Sequence, residues 1–103
     1  MRGPTGRQKE SIKRQLVGCL QDQKEIRKIV VFGSFLTSPS PNDVDVAVFQ
    51  DSQEGYLSLA MKYRRLTRDI ARLLSLDIIP VRMGTTKSAW MAEIERGEVI
   101  YEG

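Results

Sequence analysis

Apolar positions along the chain switch between two periods. From about Arg7 to Asp22, Ile12, Leu16, Cys19 and Leu20 recur every three or four residues among charged neighbours, which predicts an amphipathic helix. Thr5 and Gln8 have the spacing of a capping box, and residues 1–6 are expected to fray. Gln21 to Glu25 reads as a turn. Arg27 to Phe32 is then a β-branched apolar strand that stops at Gly33-Ser34. Two prolines and three hydroxyl residues before Asn42 predict a loop, with room for one short helical turn after Ser34. A second strand is expected over Val44–Phe49, followed by a polar connection to Gly55.

The apolar positions Tyr56, Leu59, Ala60, Tyr63, Leu66, Ile70, Leu73 and Leu74 predict one helix over 56–74 with its arginines opposite. Leu76–Val81 predicts a short strand, and Pro80 places its far end at a sheet edge or a bulge. Gly84-Thr85-Thr86 leads into a last helix over about 87–96, with Trp90, Met91 and Ile94 inward and Gly97 as its C′ stop. Val99-Ile100-Tyr101 suits a closing strand. No repeat or linker interrupts this order, so residues 1–103 are expected to form a single α+β domain, a small mixed β-sheet flanked by helices.

Composition changes the picture by exclusion. There is no histidine, so Ser-His-Asp, Cys-His and histidine–metal chemistries are ruled out. The single cysteine, Cys19, allows no internal disulfide and no zinc site, and it reads as a small apolar residue. Catalysis must therefore use carboxylates, lysines, hydroxyls or a metal held by oxygen. No apolar run approaches the roughly 20 residues that span a bilayer, and the cytoplasm is the expected compartment. The net charge of +3 is unevenly spread: Lys62, Arg64, Arg65, Arg68 and Arg72 cluster on one predicted helix. Such a patch suits an acidic protein, nucleotide phosphates or nucleic acid, or is simply a solvated face.

The chemistry concentrates between Lys28 and Gln50. Side chains alternate along a strand, so Asp43 and Asp45 project from the same face. Adjacent carboxylates repel unless a cation neutralises them, and an all-oxygen donor set suits Mg²⁺ rather than zinc. Gly33 lets the backbone approach a ligand, and Ser34 offers a hydroxyl beside amides that favour an anion. Asp77, flanked by Leu76 and Ile78, joins the pair if its strand is a neighbour. Three such carboxylates would hold two Mg²⁺ ions, with Asp77 placed to activate an acceptor hydroxyl. The plainer alternative is a pair of core strands with Asp43 as a turn residue and Asp45 on an exposed face.

A hydrophobic strand, Gly33-Ser34, a loop and Asp43-x-Asp45 together resemble the signature of the polymerase-β-type nucleotidyltransferase superfamily, and at this length its minimal nucleotidyltransferase (MNT) branch. The resemblance runs from Arg27 to the end, including the closing stretch Ile94–Glu102. It implies a palm-like fold, phosphate binding at Gly33 and Ser34, and catalytic metal ligands at Asp43, Asp45 and Asp77. It also implies Mg²⁺ as cofactor, ATP as nucleotide donor, and AMP transfer to a tyrosine of a HEPN-type toxin within a toxin–antitoxin system. No separate acceptor-binding domain is visible, which favours a macromolecular acceptor over a small one. Nucleic acid is the less favoured partner, and a homo-oligomer stays open.

The chain departs from the pattern in one respect. Phe35-Leu36-Thr37 stands where many MNT proteins carry an arginine, and the loop is slightly short. A second reading therefore stands beside the first: a catalytically weak or inactive member acting as a protein-binding antitoxin module. Lys87 or an arginine of the basic helix is a candidate substitute. A P-loop built on Gly84-Thr85-Thr86-Lys87-Ser88 does not fit, because no glycine directly precedes Lys87.

Overall fold

The structure is a computed structural model, and it describes residues 6–39, 41–85 and 91–103. The elements in order are α1 (Gly6–Leu20), β1 (Ile26–Phe32), α2 (Ser34–Thr37), β2 (Asp43–Gln50), α3 (Tyr56–Leu66), α4 (Arg68–Ala71), β3 (Ser75–Arg82), α5 (Met91–Glu95) and β4 (Glu98–Glu102). The strands form one mixed sheet in the order β3-β2-β1-β4. β1 runs antiparallel to both β2 and β4, whereas β2 and β3 are parallel. A parallel pair needs a long crossover, and α3 with α4 supplies it. β3 is an edge strand, which is where Pro80 costs no ladder bond.

Strand alternation divides the core in two. Ile29, Val31, Val44, Val46 and Val48 face one side, where Ile12, Leu16 and Leu20 of α1, Phe35 of α2, Leu59 and Tyr63 of α3 and Ile70 of α4 close over them. Val30, Phe32, Ala47, Phe49 and Val81 face the other side, packed with Ile94 and Met91 of α5. The second face is the thinly covered one.

Three expectations are corrected. The helix read over 56–74 is broken at Thr67, a buried residue whose Oγ1 donates to the Tyr63 carbonyl at 2.8 Å. That back-bond offers the backbone an alternative to the helical ladder and bends it. Past the break Ile70 and Leu74 still pack on the core, but Leu73 is exposed, as is Tyr56 at the other end. Gly97 does not have the positive φ of a C′ stop; among the described residues, positive φ is confined to Gly33 and Gly84. A Cβ on Gly97 would lie 2.5 Å from the Val31 carbonyl oxygen, so the position is small because the chain presses on β1. Lys62 leaves the basic cluster to pair with Glu25 at 2.9 Å and Glu54 at 3.5 Å. The Thr5 cap and the placements of Trp90, Thr86 and Lys87 lie outside the described residues.

Glu25 ties the turn before β1 to α3. It also accepts the Tyr63 hydroxyl at 2.8 Å. Burial pushes its carboxyl up, but Lys62, a backbone bond and Tyr63 outweigh that and hold it below its ordinary value of 4.5. A depressed carboxylate stabilises the fold above its unfolded value, and that contribution is lost as pH falls through the lowered one. Glu25→Gln is therefore expected to cost about 1–2 kcal/mol at neutral pH. In urea melts at graded pH, the gap from wild type should close once the medium falls below the ordinary carboxylate range.

Candidate functional site

The topology brings three strand ends together. β1 runs against β2 and β2 runs with β3, so the C-terminal end of β1 meets the N-terminal ends of β2 and β3. Phe32 stands opposite Asp45, and Asp45 in turn stands opposite Asp77, while Asp43 pairs with Ser75. Residues paired across adjacent strands are about 5 Å apart in backbone, so Asp45 and Asp77 are side-by-side neighbours. Asp43, Asp45 and Asp77 alternate with Val44, Val46 and Ile78, whose side chains enter the helix-covered core. The acids therefore occupy the thinly covered face.

Gly33 follows directly on β1 at φ 78° and ψ −157°, a region open essentially to glycine alone. A Cβ there would lie 2.5 Å from the Asp45 carboxylate oxygen Oδ2 and 3.5 Å from its Cγ. The missing side chain is what leaves room for the carboxylate beside the start of α2. Ser34 opens that helical turn and is exposed, and among the described residues its hydroxyl makes no hydrogen bond. The first amides of a helical turn have no partner within it and are available to an anion.

Burial raises the Asp45 carboxyl above its ordinary 3.8, and Asp77, Asp43 and Glu93 add to the rise in that order. Glu93, on α5, is an acid that sequence reasoning missed. Only the packing of α5 on the thin face brings it near Asp45, and no motif carries that signal. Asp43 and Asp77 are exposed and Asp45 is half-buried. Among the described residues, no three acids stand close enough together to form a ready-made metal site. The donor set nevertheless suits a hard cation: carboxylate oxygens from two neighbouring strands, mutually repelling, with the Gly33 cradle open beside one of them.

No arginine lies on α2, but a cation reaches its far end from α1. Lys9 Nζ donates to the Ser38 carbonyl at 2.7 Å and lies 5.7 Å from the centre of the Phe35 ring. At the opposite end of the thin face is a groove of about 390 Å³ bordered by Lys28, Phe49, Met83, Met91 and Val99. It lacks the three strand acids, so it is separate from the carboxylate end. No helix among the described residues is long and apolar enough to cross a membrane.

The family model described as polymerase beta, nucleotidyltransferase matches residues 14–103. No curated protein matches the chain in sequence. Among solved structures, it is similar to the crystal structure of the toxin–antitoxin pair MntA–HepT. That match has a TM-score of 0.59 and 16% identity and covers 91% of this chain and 73% of the other. A tri-AMPylated Shewanella oneidensis HEPN toxin in complex with MNT antitoxin gives a TM-score of 0.61 at 17% identity, covering 92% and 73%. A toxin–antitoxin with AMP-PNP gives 0.62 at 18% identity, covering 88% and 73%. At these identities the likeness is one of fold.

Proposed function

Because the chain belongs to the polymerase beta nucleotidyltransferase family, we propose that it is a Mg²⁺-dependent transferase moving AMP from ATP onto a hydroxyl, in the cytoplasm, with a tyrosine of a HEPN-type toxin as acceptor. The observation that carries this reading is the register of Asp45 with Asp77, with Gly33 clearing space beside Asp45. Two relatives in fold support the nucleotide and the acceptor class: one holds AMP-PNP and the other an AMPylated HEPN toxin.

In this reading Ser34 and the first amides of α2 receive the triphosphate, because they are unspent donors at a site where a glycine permits close approach. Asp43, Asp45 and Asp77 are the residues that would hold Mg²⁺, as two ions, which when bound neutralise phosphate charge and make the acceptor hydroxyl more acidic. Asp77 lies on the edge strand, where it stays open to an arriving macromolecule, and it takes the acceptor proton. Asp45 sits deepest and is the one whose ionisation most needs a compensating cation. The thin face leaves the acids uncovered, and the partner protein would complete the site around its own tyrosine.

The test is transfer of label from α-³²P-ATP to a co-expressed HEPN-type protein. The expected result is Mg²⁺-dependent labelling on tyrosine, lost in Asp45→Asn. Absence of label in a complex that forms and binds nucleotide would contradict the assigned acceptor.

A further inference from the structure

We propose that the outer face of α3 and α4 is a docking surface for an acidic, apolar-edged helix of a partner protein. The proposal goes beyond the transfer reading and does not depend on it. Leu59, Ala60 and Tyr63 turn α3 towards the core, which leaves Leu57, Met61, Arg64 and Arg65 on its outward side. The spacing 57, 61, 64, 65 and 68 follows one helical stripe, and Arg68 continues it where Thr67 accepts from Ala71 and donates to Tyr63 across the break. Leu57 is 68% exposed and Met61 60%. These are large apolar side chains next to one another on a face where solvated positions would serve as well.

The charges on this face are also unspent. Some cations are neutralised within the chain, Lys62 by Glu25 and Glu54, Lys13 by Glu10 and Glu98, and Arg27 by Asp51 at 2.7 Å. Exposed Arg7, Arg14, Lys24, Arg82 and Arg96 have no ion pair among the described residues. Arg72 has Asp69 at 3.7 Å. Arg64, Arg65 and Arg68 have no ion pair among the described residues, and they border the two apolar side chains. Lys62, on the other flank of the same helix, is paired, so the imbalance belongs to one side of α3. Methionine and arginine at the surface, with apolar anchors at i and i+4, are the composition and spacing of helix-mediated protein recognition.

Charge complementarity calls for carboxylates on the occupant, and Leu57 and Met61 call for aliphatic side chains between them. A nucleic acid would engage the arginines but leave the two apolar residues wet, since neither stacks on bases as an aromatic ring does. The surface lies on the helix-covered side of the sheet, away from Asp45, so a docked helix leaves the acid face free.

The test uses the full chain, without nucleotide or metal, and a synthetic helical peptide with leucines at i and i+4 flanked by glutamates. Its scrambled isomer and a single-stranded RNA serve as comparison probes in fluorescence anisotropy at physiological salt. The expected result is binding at least about tenfold tighter than to the scrambled isomer. It should be lost in Leu57→Glu/Met61→Glu and in Arg64→Glu/Arg65→Glu/Arg68→Glu, each shown to be folded by circular dichroism. Equal binding of both peptides, tighter binding of RNA, or no peptide binding would each overturn the proposal. Because the catalytic acids and ATP take no part, failure of the transfer reading leaves this result untouched.

Discussion

Asp45→Asn is expected to abolish useful transfer while making the metal-free protein more stable. The two effects share one cause. Asp45 is half-buried, in register with Asp77 and two residues from Asp43 on the same face, so its carboxyl is held above the ordinary 3.8. The folded state keeps a proton that the unfolded chain has already lost, and ionisation costs stability as pH rises through the raised value. Below the ordinary value the cost disappears. Above the raised value it is present in full, and asparagine removes it. The melting temperature of Asp45→Asn without divalent ions should therefore exceed that of wild type by a few degrees, and the gain should shrink in acid. Mg²⁺ should raise the wild-type value and leave the variant unmoved, because only a ligand that prefers the native state stabilises it. Transfer should fall by about 10²–10³-fold, the scale on which losing one electrostatic partner at a reaction centre is felt. A variant less stable than wild type at neutral pH would show that Asp45 is a structural residue.

Gly97→Ala is expected to be the most damaging single methyl in the chain. Its Cβ would sit 2.5 Å from the Val31 carbonyl oxygen, 2.7 Å from Val30 Cγ1 and 2.9 Å from Phe32 Cβ. Two of these belong to buried side chains of β1 and the third is backbone inside the sheet, so nothing flexible can yield. Moving the turn outward would lift β4 from β1 and disturb the strand that ends at Gly33. Overpacking of this kind costs about 3 kcal/mol, which in a domain of this size lowers the melting temperature by roughly 12–24 °C. Gly18 provides the contrast. A Cβ there meets nothing within 4 Å, it lies inside α1, and Gly18→Ala should stabilise by about 0.5–1 kcal/mol. Thermal melts of the two variants separate packing from composition.

The strands, the terminal helix and the acids were legible because they depend on local periodicity. Val44, Val46 and Val48 against Asp43 and Asp45 specify one buried and one open face from the sequence alone. Pro80 likewise marked an edge that the sheet order bears out. What local pattern does not encode is partnership. Asp77 stands beside Asp45 because β2 and β3 are parallel, a pairing fixed by how α3 and α4 cross over the sheet. Thr67 breaks a helix whose apolar spacing runs through it unbroken, since a hydroxyl back-bond leaves no trace in hydropathy. Gly97 follows a helix as a C′ stop would, yet its smallness serves a strand 66 residues earlier in the chain, at Val31. Lys62 looked like a member of a basic patch until the turn at Glu25 came alongside. Glu93 was invisible for the same reason: its relevance comes from a neighbour that only the fold supplies.

In the proposed function the open end of the sheet is a metal-dependent nucleotide site. Isothermal titration calorimetry of ATP, with and without Mg²⁺, into wild type and Asp43→Asn/Asp45→Asn tests it most directly. The expected result is binding to wild type only when Mg²⁺ is present, and none to the double variant, which stays folded by circular dichroism. Binding of equal strength to both proteins, or none to a folded wild type with Mg²⁺ present, would contradict it.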